Sequence, residues 1–195
     1  MEVRRKMKSN TFKEYIQPIV VLVAICLVIT FALAYVNSIT APIIAENAAK
    51  TADAARAELL PAASSFEKYE GELVVVDPDK IYVTECYTAE GAGMVVTVDT
   101  KSFGGILTEM IGIDNTGAIT GVKVLSHADT KGLGTKAHDP AYLAAYAGLS
   151  ELAGAENIKA DAAVSHVSGA TISSNAVYQG VCAALEQFNK VGGAN

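Results

Sequence analysis

The sequence predicts an α+β protein: one N-terminal membrane-spanning helix, a stalk helix, and a small twisted antiparallel sheet packed with helices. Three observations carry this reading. No charged residue occurs from Tyr15 to Ala45. Short β-rich runs separated by glycine turns begin at Gly71. A single amphipathic stretch closes the chain between Ser174 and Lys190. The 195 residues leave room for one modest domain behind an anchor.

The anchor comes first. Ile19–Val36 is almost wholly apolar, and a bilayer core needs about 20 such residues in a helix. A cleaved signal peptide is the competing reading, with Ala32-Leu33-Ala34 as a small-residue cleavage site. The apolar run is longer than a signal peptide requires, which favours an uncleaved anchor. Residues 1–14 hold Arg4, Arg5, Lys6, Lys8 and Lys13 against Glu2 and Glu14. Basic flanks stay cytoplasmic, so the remainder is expected outside. That remainder is acidic, and the whole chain has net charge −6. Nucleic-acid binding needs a basic footprint and is therefore excluded.

Ala45–Leu60 is rich in Ala, Glu and Lys, good helix formers, and Pro61 stops it. It is expected to be a stalk that lifts the domain off the membrane. The expected divisions are a tail over 1–14, a span over 15–36, stalk and linker over 37–66, and an extracytoplasmic domain over 67–195. Strands are expected at Glu72–Val76, Ile81–Tyr87, Met94–Val98, Ile106–Ile113 and Ala118–Leu125. Asp114-Asn115-Thr116-Gly117 suits a tight hairpin loop, and Glu90–Gly93 and Phe103–Gly105 supply further turns. Asp139 and Pro140 open a helix expected to run to Leu152. In the last helix Val177, Val181, Ala184, Leu185 and Phe188 share one face, which should lie on the sheet.

Cys26, Cys86 and Cys182 form no C-x-x-C pair and read as separate small apolar residues, with a Cys86–Cys182 bridge left open. His127, His138 and His166 are too scattered for metal ligation and read as solvated or loop histidines; only His166 lies close to the segment described next. No hydrolase or nucleoside-triphosphatase motif is present. No residue is assigned a catalytic role.

The informative segment is Ser168-Gly169-Ala170-Thr171-Ile172-Ser173-Ser174, at the start of the last helix. Small residues let a ligand approach the backbone, and Gly169 permits a turn that a Cβ would block. A helix start offers unpaired N–H groups and partial positive charge, which suit a phosphate. Ser173 or Ser174 can cap the helix, so an ordinary helix cap is the competing reading of the same residues.

This string resembles the flavinylation motif of the FMN-binding-domain family, which includes flavin-carrying subunits of Rnf-type electron-transport complexes and of sodium-pumping NADH:quinone reductase. A second segment, Asp129-Thr130-Lys131-Gly132-Leu133-Gly134, resembles the family's E-T-P-G-L-G loop, and Phe103-Gly104-Gly105 and Val122–His127 look similar too. The resemblance covers roughly residues 70–190. It implies one FMN per chain, joined through its phosphate to Thr171 by a dedicated flavin transferase. Ser168, Gly169, Ala170 and Ser174 would surround the attachment. Asp129, Thr130, Gly132, Leu133 and Gly134 would pack beside the flavin, with Gly132 at a close backbone approach.

The resemblance further implies a plasma (inner) membrane protein and an electron-carrying subunit of an ion-translocating ferredoxin:NAD oxidoreductase. Its partners would be the other membrane, iron–sulfur and flavin subunits. The chain has no nicotinamide-binding G-x-G-x-x-G and no iron–sulfur cysteine set, so it would relay electrons rather than complete a reaction alone. Three positions depart from the family pattern. Ser165 stands where an Asp is usual, Asp129 replaces Glu, and Lys131 replaces Pro. Two other functions stay open: a stand-alone extracytoplasmic flavoprotein carrier, and an anchored non-redox module whose Ser-Gly-Ala-Thr segment merely caps a helix.

Overall fold

Helix α1, Gln17–Leu59, runs without a break through both the expected span and the expected stalk. The computed structural model describes residues 15–154 and 157–192, so the basic tail over 1–14 lies outside the described residues. The α1 helix is long and apolar enough to cross a membrane, with mean hydropathy 3.0 in its most apolar window. Pro42 lies inside it. Before that proline the Ser38 and Thr40 hydroxyls return to the helix, donating to the Tyr35 and Val36 carbonyls at 2.7 and 3.0 Å. The chain divides into two compact units, the first ending at Lys50 and the second beginning at Thr51.

Within the second unit, six strands form one antiparallel sheet: β1 (Glu67–Lys68), β2 (Val75–Asp77), β3 (Ile81–Ala89), β4 (Gly93–Lys101), β5 (Ile106–Asp114) and β6 (Ile119–Ser126). The order is β1-β3-β4-β5-β6, and β2 shares the outer edge of β3 with β1. The antiparallel α+β architecture expected from the sequence is present. Strand β1 has no counterpart among the expected strands, because two charged residues carry no β pattern. The expected strand at Glu72–Val76 begins only at Val75, since the Val74 N–H donates to Gln187 Oε1 at 2.7 Å instead of to a neighbouring strand at that point. The Asp114–Gly117 loop closes as expected: Asp114 and Ala118 pair through the backbone, and Asp114 Oδ1 accepts from the Thr116 and Ala118 N–H groups.

Strand β4 is buried along nearly its whole length because both faces of the sheet are covered. Alternation sends Met94, Val96 and Val98 to one face and Val95 to the other. The first face packs under α3, Thr171–Val191, whose Val177, Val181, Ala184, Leu185 and Phe188 are buried in the larger core as the helical pattern predicts. The second face is covered by the end of α1. Ala55, Leu59 and Leu60 pack on Ala89, Val95 and Met110, and Thr120 donates to the Leu59 carbonyl. Arg56 lies 4.0 Å over the Tyr87 ring and pairs with Asp53. The segment expected to be a free-standing stalk is therefore, over its last turns, part of the domain's packing.

Two further expectations are corrected. The helix expected over Pro140–Leu152 is only α2, Pro140–Leu143, followed by a 3-10 turn over Ala144–Tyr146. Asp139 caps it as expected, accepting from the Ala141 N–H. It stops because Gly148 takes φ +82° and the backbone turns to bond the Ile119 carbonyl, with the Ile119 N–H donating back to Leu149. The last helix begins at Thr171, three residues earlier than expected, and neither serine caps it. All three cysteines are free, with Cys86 buried and Cys182 half-buried.

Candidate functional site

Three segments distant in sequence meet at the N-terminal end of α3. Phe103 comes from the β4–β5 turn, Thr130, Leu133 and Gly134 from the loop after β6, and Gly169–Ser173 from the start of α3; together they line an open cleft of about 280 Å³. Its walls are apolar where they face solvent: Phe103 is 68%, Leu133 47% and Ile172 55% exposed. Thr171, half-buried, is the first residue of α3. The helix has no side-chain cap, because Ala170 occupies the capping position. Its first-turn N–H groups are thus left for a ligand, at the positive end of a helix of 21 residues. Gly169 takes φ +82°, which turns the chain into the helix.

Asp129 holds these segments together from beneath. It is 7% exposed. Its Oδ2 accepts from Ser102 Oγ at 2.5 Å and its Oδ1 from the Gly104 N–H at 2.7 Å, which ties the Phe103 turn to the loop. Ser173 bonds the same carboxylate, which ties in α3. Burial pushes the Asp129 carboxyl upward, but the bonds from Ser102, Gly104 and Ser173 outweigh it, and the carboxyl is held below the usual carboxylate range. His138 Nε2 stands 3.2 Å from Asp129 Oδ2, off the line of a well-formed hydrogen bond. Its ring lies 4.6 Å from that of His127. Burial, then the His127 ring, pull His138 below its ordinary value against the pull of Asp129, so the imidazole is neutral at pH 7.

Within the protein, the tightest packing of this loop is at Gly134. A Cβ on Gly134 would stand 2.8 Å from Asp129 Cβ and 2.9 Å from Ser173 Oγ. Gly132 faces open space, and its requirement for glycine is its φ of +79°. Gly104 is equally constrained, since a Cβ there would overlap the Ala128 carbonyl.

Of the residues singled out in the sequence, Thr130, Leu133, Gly134, Gly169, Ala170 and Thr171 line the cleft. Asp129 lies under it. Ser168 is exposed outside the lining. Ser174 is buried with its Oγ accepting from the Val167 N–H at 3.0 Å, which fixes the approach to the motif. Phe103, Ile172 and Ser173 line the cleft as well, and the sequence reading gave them no role there. His138, expected to be a solvated or loop histidine, ends the short turn Gly134–His138 but is packed beside Asp129 with only 6% of its side chain exposed. The isoleucine inside a small-residue motif was the available signal for Ile172; nothing in the sequence marked His138. Asp161, near the position where Ser165 replaces a usual Asp, is committed elsewhere. It accepts from the Ala153 and Ala163 N–H groups and from the Tyr178 hydroxyl, each at 2.8 Å.

A larger groove of about 740 Å³ runs between β2 and the second half of α3, past Val76, Leu152 and Cys182. It contains none of the residues singled out for the flavin site. The smaller cleft is the chemically equipped one.

Residues 103–186 match the family described as the FMN-binding domain, a span that contains all three cleft segments. The chain is 28% identical over 209 aligned positions to a subunit of the Na(+)-translocating ferredoxin:NAD(+) oxidoreductase complex of Acetobacterium woodii, covering 98% of this chain and 99% of that relative. It is 28% identical over 172 positions to a subunit of the ion-translocating oxidoreductase complex of Stutzerimonas stutzeri, covering 83% and 75%.

Proposed function

We propose that the chain is a membrane-anchored electron-carrying subunit of an ion-translocating ferredoxin:NAD oxidoreductase complex, holding one FMN esterified to Thr171, a reading supported by the match of residues 103–186 to the FMN-binding domain family. One relative is a subunit of a Na(+)-translocating ferredoxin:NAD(+) oxidoreductase complex and aligns over nearly the whole of both chains, and the other is a subunit of an ion-translocating oxidoreductase complex, which supports the assignment to a complex. The observation that carries the attachment point is the position of Thr171, first residue of an uncapped helix and wall of an apolar cleft.

The residues fit the group. First-turn N–H groups of α3 suit a phosphate diester on the Thr171 oxygen. Phe103, Leu133 and Ile172 offer an apolar floor for the isoalloxazine ring. When bound, the flavin supplies the electron chemistry, and the protein positions and tunes it. Asp129 fixes the floor by joining the Phe103 turn, the 129–134 loop and α3. Its negative charge is compensated by the donors around it, so the cleft gains a rigid frame rather than a free anion. Attachment would transfer FMN from a flavin dinucleotide to Thr171 Oγ: the donor's phosphoanhydride bond breaks, its nucleoside monophosphate leaves with the hydroxyl proton, the residue gains FMN minus water, and a flavin transferase is the expected catalyst.

The basic residues 1–14 ahead of the apolar helix support a cytoplasmic N-terminus with the flavin domain outside, in the plasma (inner) membrane. A stand-alone carrier or a non-redox anchored module has no specific observation in its favour. The test is denaturing electrophoresis of wild type and Thr171→Ala, each co-expressed with a flavin transferase, read by ultraviolet fluorescence; a reporter fused after Asn195 reads the topology. A fluorescent wild-type band, lost in Thr171→Ala, and a reporter active only outside the cytoplasm are expected. A dark wild-type band beside a modified control protein would refute the flavin reading.

A further inference from the structure

The cleft is too small to enclose a flavin. Sites that bury most of a comparable ligand span about 300–1,000 Å³, and this one is an open cleft of about 280 Å³. A flavin held there would leave part of its ring uncovered, beside the exposed Phe103, Leu133 and Ile172. An exposed apolar centre of this kind marks a contact surface.

The charges around it are distinctive. In the domain, Arg56 pairs with Asp53, Lys68 with Glu85, Lys80 with Asp77, Lys123 with Glu58 and Lys190 with Glu72. Lys101 acts on Asp77, and Lys159 lies on the 158–160 turn, whose Ile158 N–H donates to Asn175 on α3. Lys131 and Lys136, on the loop that lines the cleft, are exposed and have no carboxylate partner among the described residues. The nearest carboxylates in sequence are already committed: Asp129 is buried among its donors, and Asp139 caps α2. A chain of net charge −6 thus carries two uncompensated cations beside the cleft.

We infer that this rim is the docking face for an acidic redox protein, whose apolar contact patch covers the exposed flavin edge while its carboxylates meet Lys131 and Lys136. The inference rests on the flavin reading for its function. Complementary charge of this kind raises the encounter rate and fixes orientation more than it adds affinity.

Two experiments on the full chain in nanodiscs test it. In the first, reduced, flavinylated protein is mixed with ferricyanide or with hexaammineruthenium(III), oxidants of opposite charge. At low salt the Lys131→Glu/Lys136→Glu double variant should lower the anion-to-cation rate ratio by about tenfold or more. The difference should collapse in 1 M salt, where the screening length is about 3 Å. Lys190→Glu, in the last turn of the 21-residue helix α3 that begins at Thr171, should shift the ratio by less than about twofold, as expected for a charge remote from the cleft. An unchanged ratio in the double variant, or an equal shift in Lys190→Glu, overturns the proposal.

In the second, an acidic tryptophan-containing peptide is titrated into flavin-free Thr171→Ala protein and followed by amide chemical shifts. Perturbations at Phe103 and Lys131–Lys136, abolished by 0.5 M salt and by the double charge reversal, are expected. No perturbation there, or perturbation that survives the reversal, counts against the face. Absence of covalent flavin from wild type would defeat the function proposed above while leaving this second experiment to decide the docking face.

Discussion

Glu109 gives the sharpest stability prediction. It lies on β5 where alternation calls for a core-facing apolar residue, between Leu107 and Ile111, and it is fully buried. Neither carboxyl oxygen has a hydrogen-bond partner, and the Thr100 and Tyr146 hydroxyls are likewise unpaired. Burial holds the carboxyl well above the usual range, so it stays protonated. In the unfolded chain an ordinary Glu ionises near pH 4.3. Above that pH the native state holds one proton more than the unfolded state, so stability falls as pH rises, by about 1.4 kcal/mol per unit. The fall continues until Glu109 itself ionises.

Glu109→Gln removes this titration while keeping shape. Between pH 5 and pH 6 the wild type should lose about 1.4 kcal/mol relative to the variant, roughly 3–5 °C in relative Tm. The assay is thermal unfolding followed by circular dichroism in one detergent at each pH; taking the difference between proteins cancels every other titrating group. Parallel pH profiles for the two proteins would refute the claim that Glu109 is folded in its neutral form.

Further outcomes follow from the same geometry. A Cβ on Gly180 would overlap Glu109 Oε1, so Gly180→Ala should cost about 1–3 kcal/mol. That cost should shrink in a Glu109→Ala background, as a double-mutant cycle by denaturant unfolding will show. Gly134→Ala should displace Asp129 or Ser173 and reduce covalent flavin, measured as absorbance per protein, whereas Gly132→Ala should carry only local backbone strain and leave flavin content near wild type. Asp129→Asn should cost about 2 kcal/mol at pH 7 in the same unfolding assay, as charged acceptors contribute more than neutral ones. Because the folded carboxyl titrates below its ordinary value, that stabilisation is present above the unfolded value. It is lost as pH falls through the folded value, so the two proteins should converge in acid.

The sheet and the terminal helix were legible because each has a strong period: alternation in β3 to β6, and the 177/181/184/188 spacing in α3. The 140–152 helix was overextended because its alanines and leucines favour helix locally, whereas the backbone exchange between Ile119 and Gly148–Leu149 is a long-range event with no local mark. The packing of Ala55, Leu59 and Leu60 under the sheet was invisible for a similar reason. An alanine-rich helix shows its propensity but not its partner. In the site, small residues and a resemblance pointed to Thr171 and the 129–134 loop. The tight packing of Gly134 on Asp129 and Ser173, and the place of His138 beside Asp129, were not legible because both depend on how the loop folds back onto Ser173. Glu109 was hidden by its own chemistry: a glutamate in a strand reads as solvent-facing until its burial is seen.

The central claim is that Thr171 alone carries the flavin, and peptide mass spectrometry tests it most directly. The wild-type chain, co-expressed with a flavin transferase and digested, should yield one peptide heavier by FMN minus water, with fragmentation placing the addition on Thr171. Thr171→Ala should yield that peptide unmodified while retaining the wild-type circular dichroism spectrum. An adduct on Ser168, Ser173 or Ser174, or one that persists in Thr171→Ala, would contradict the account.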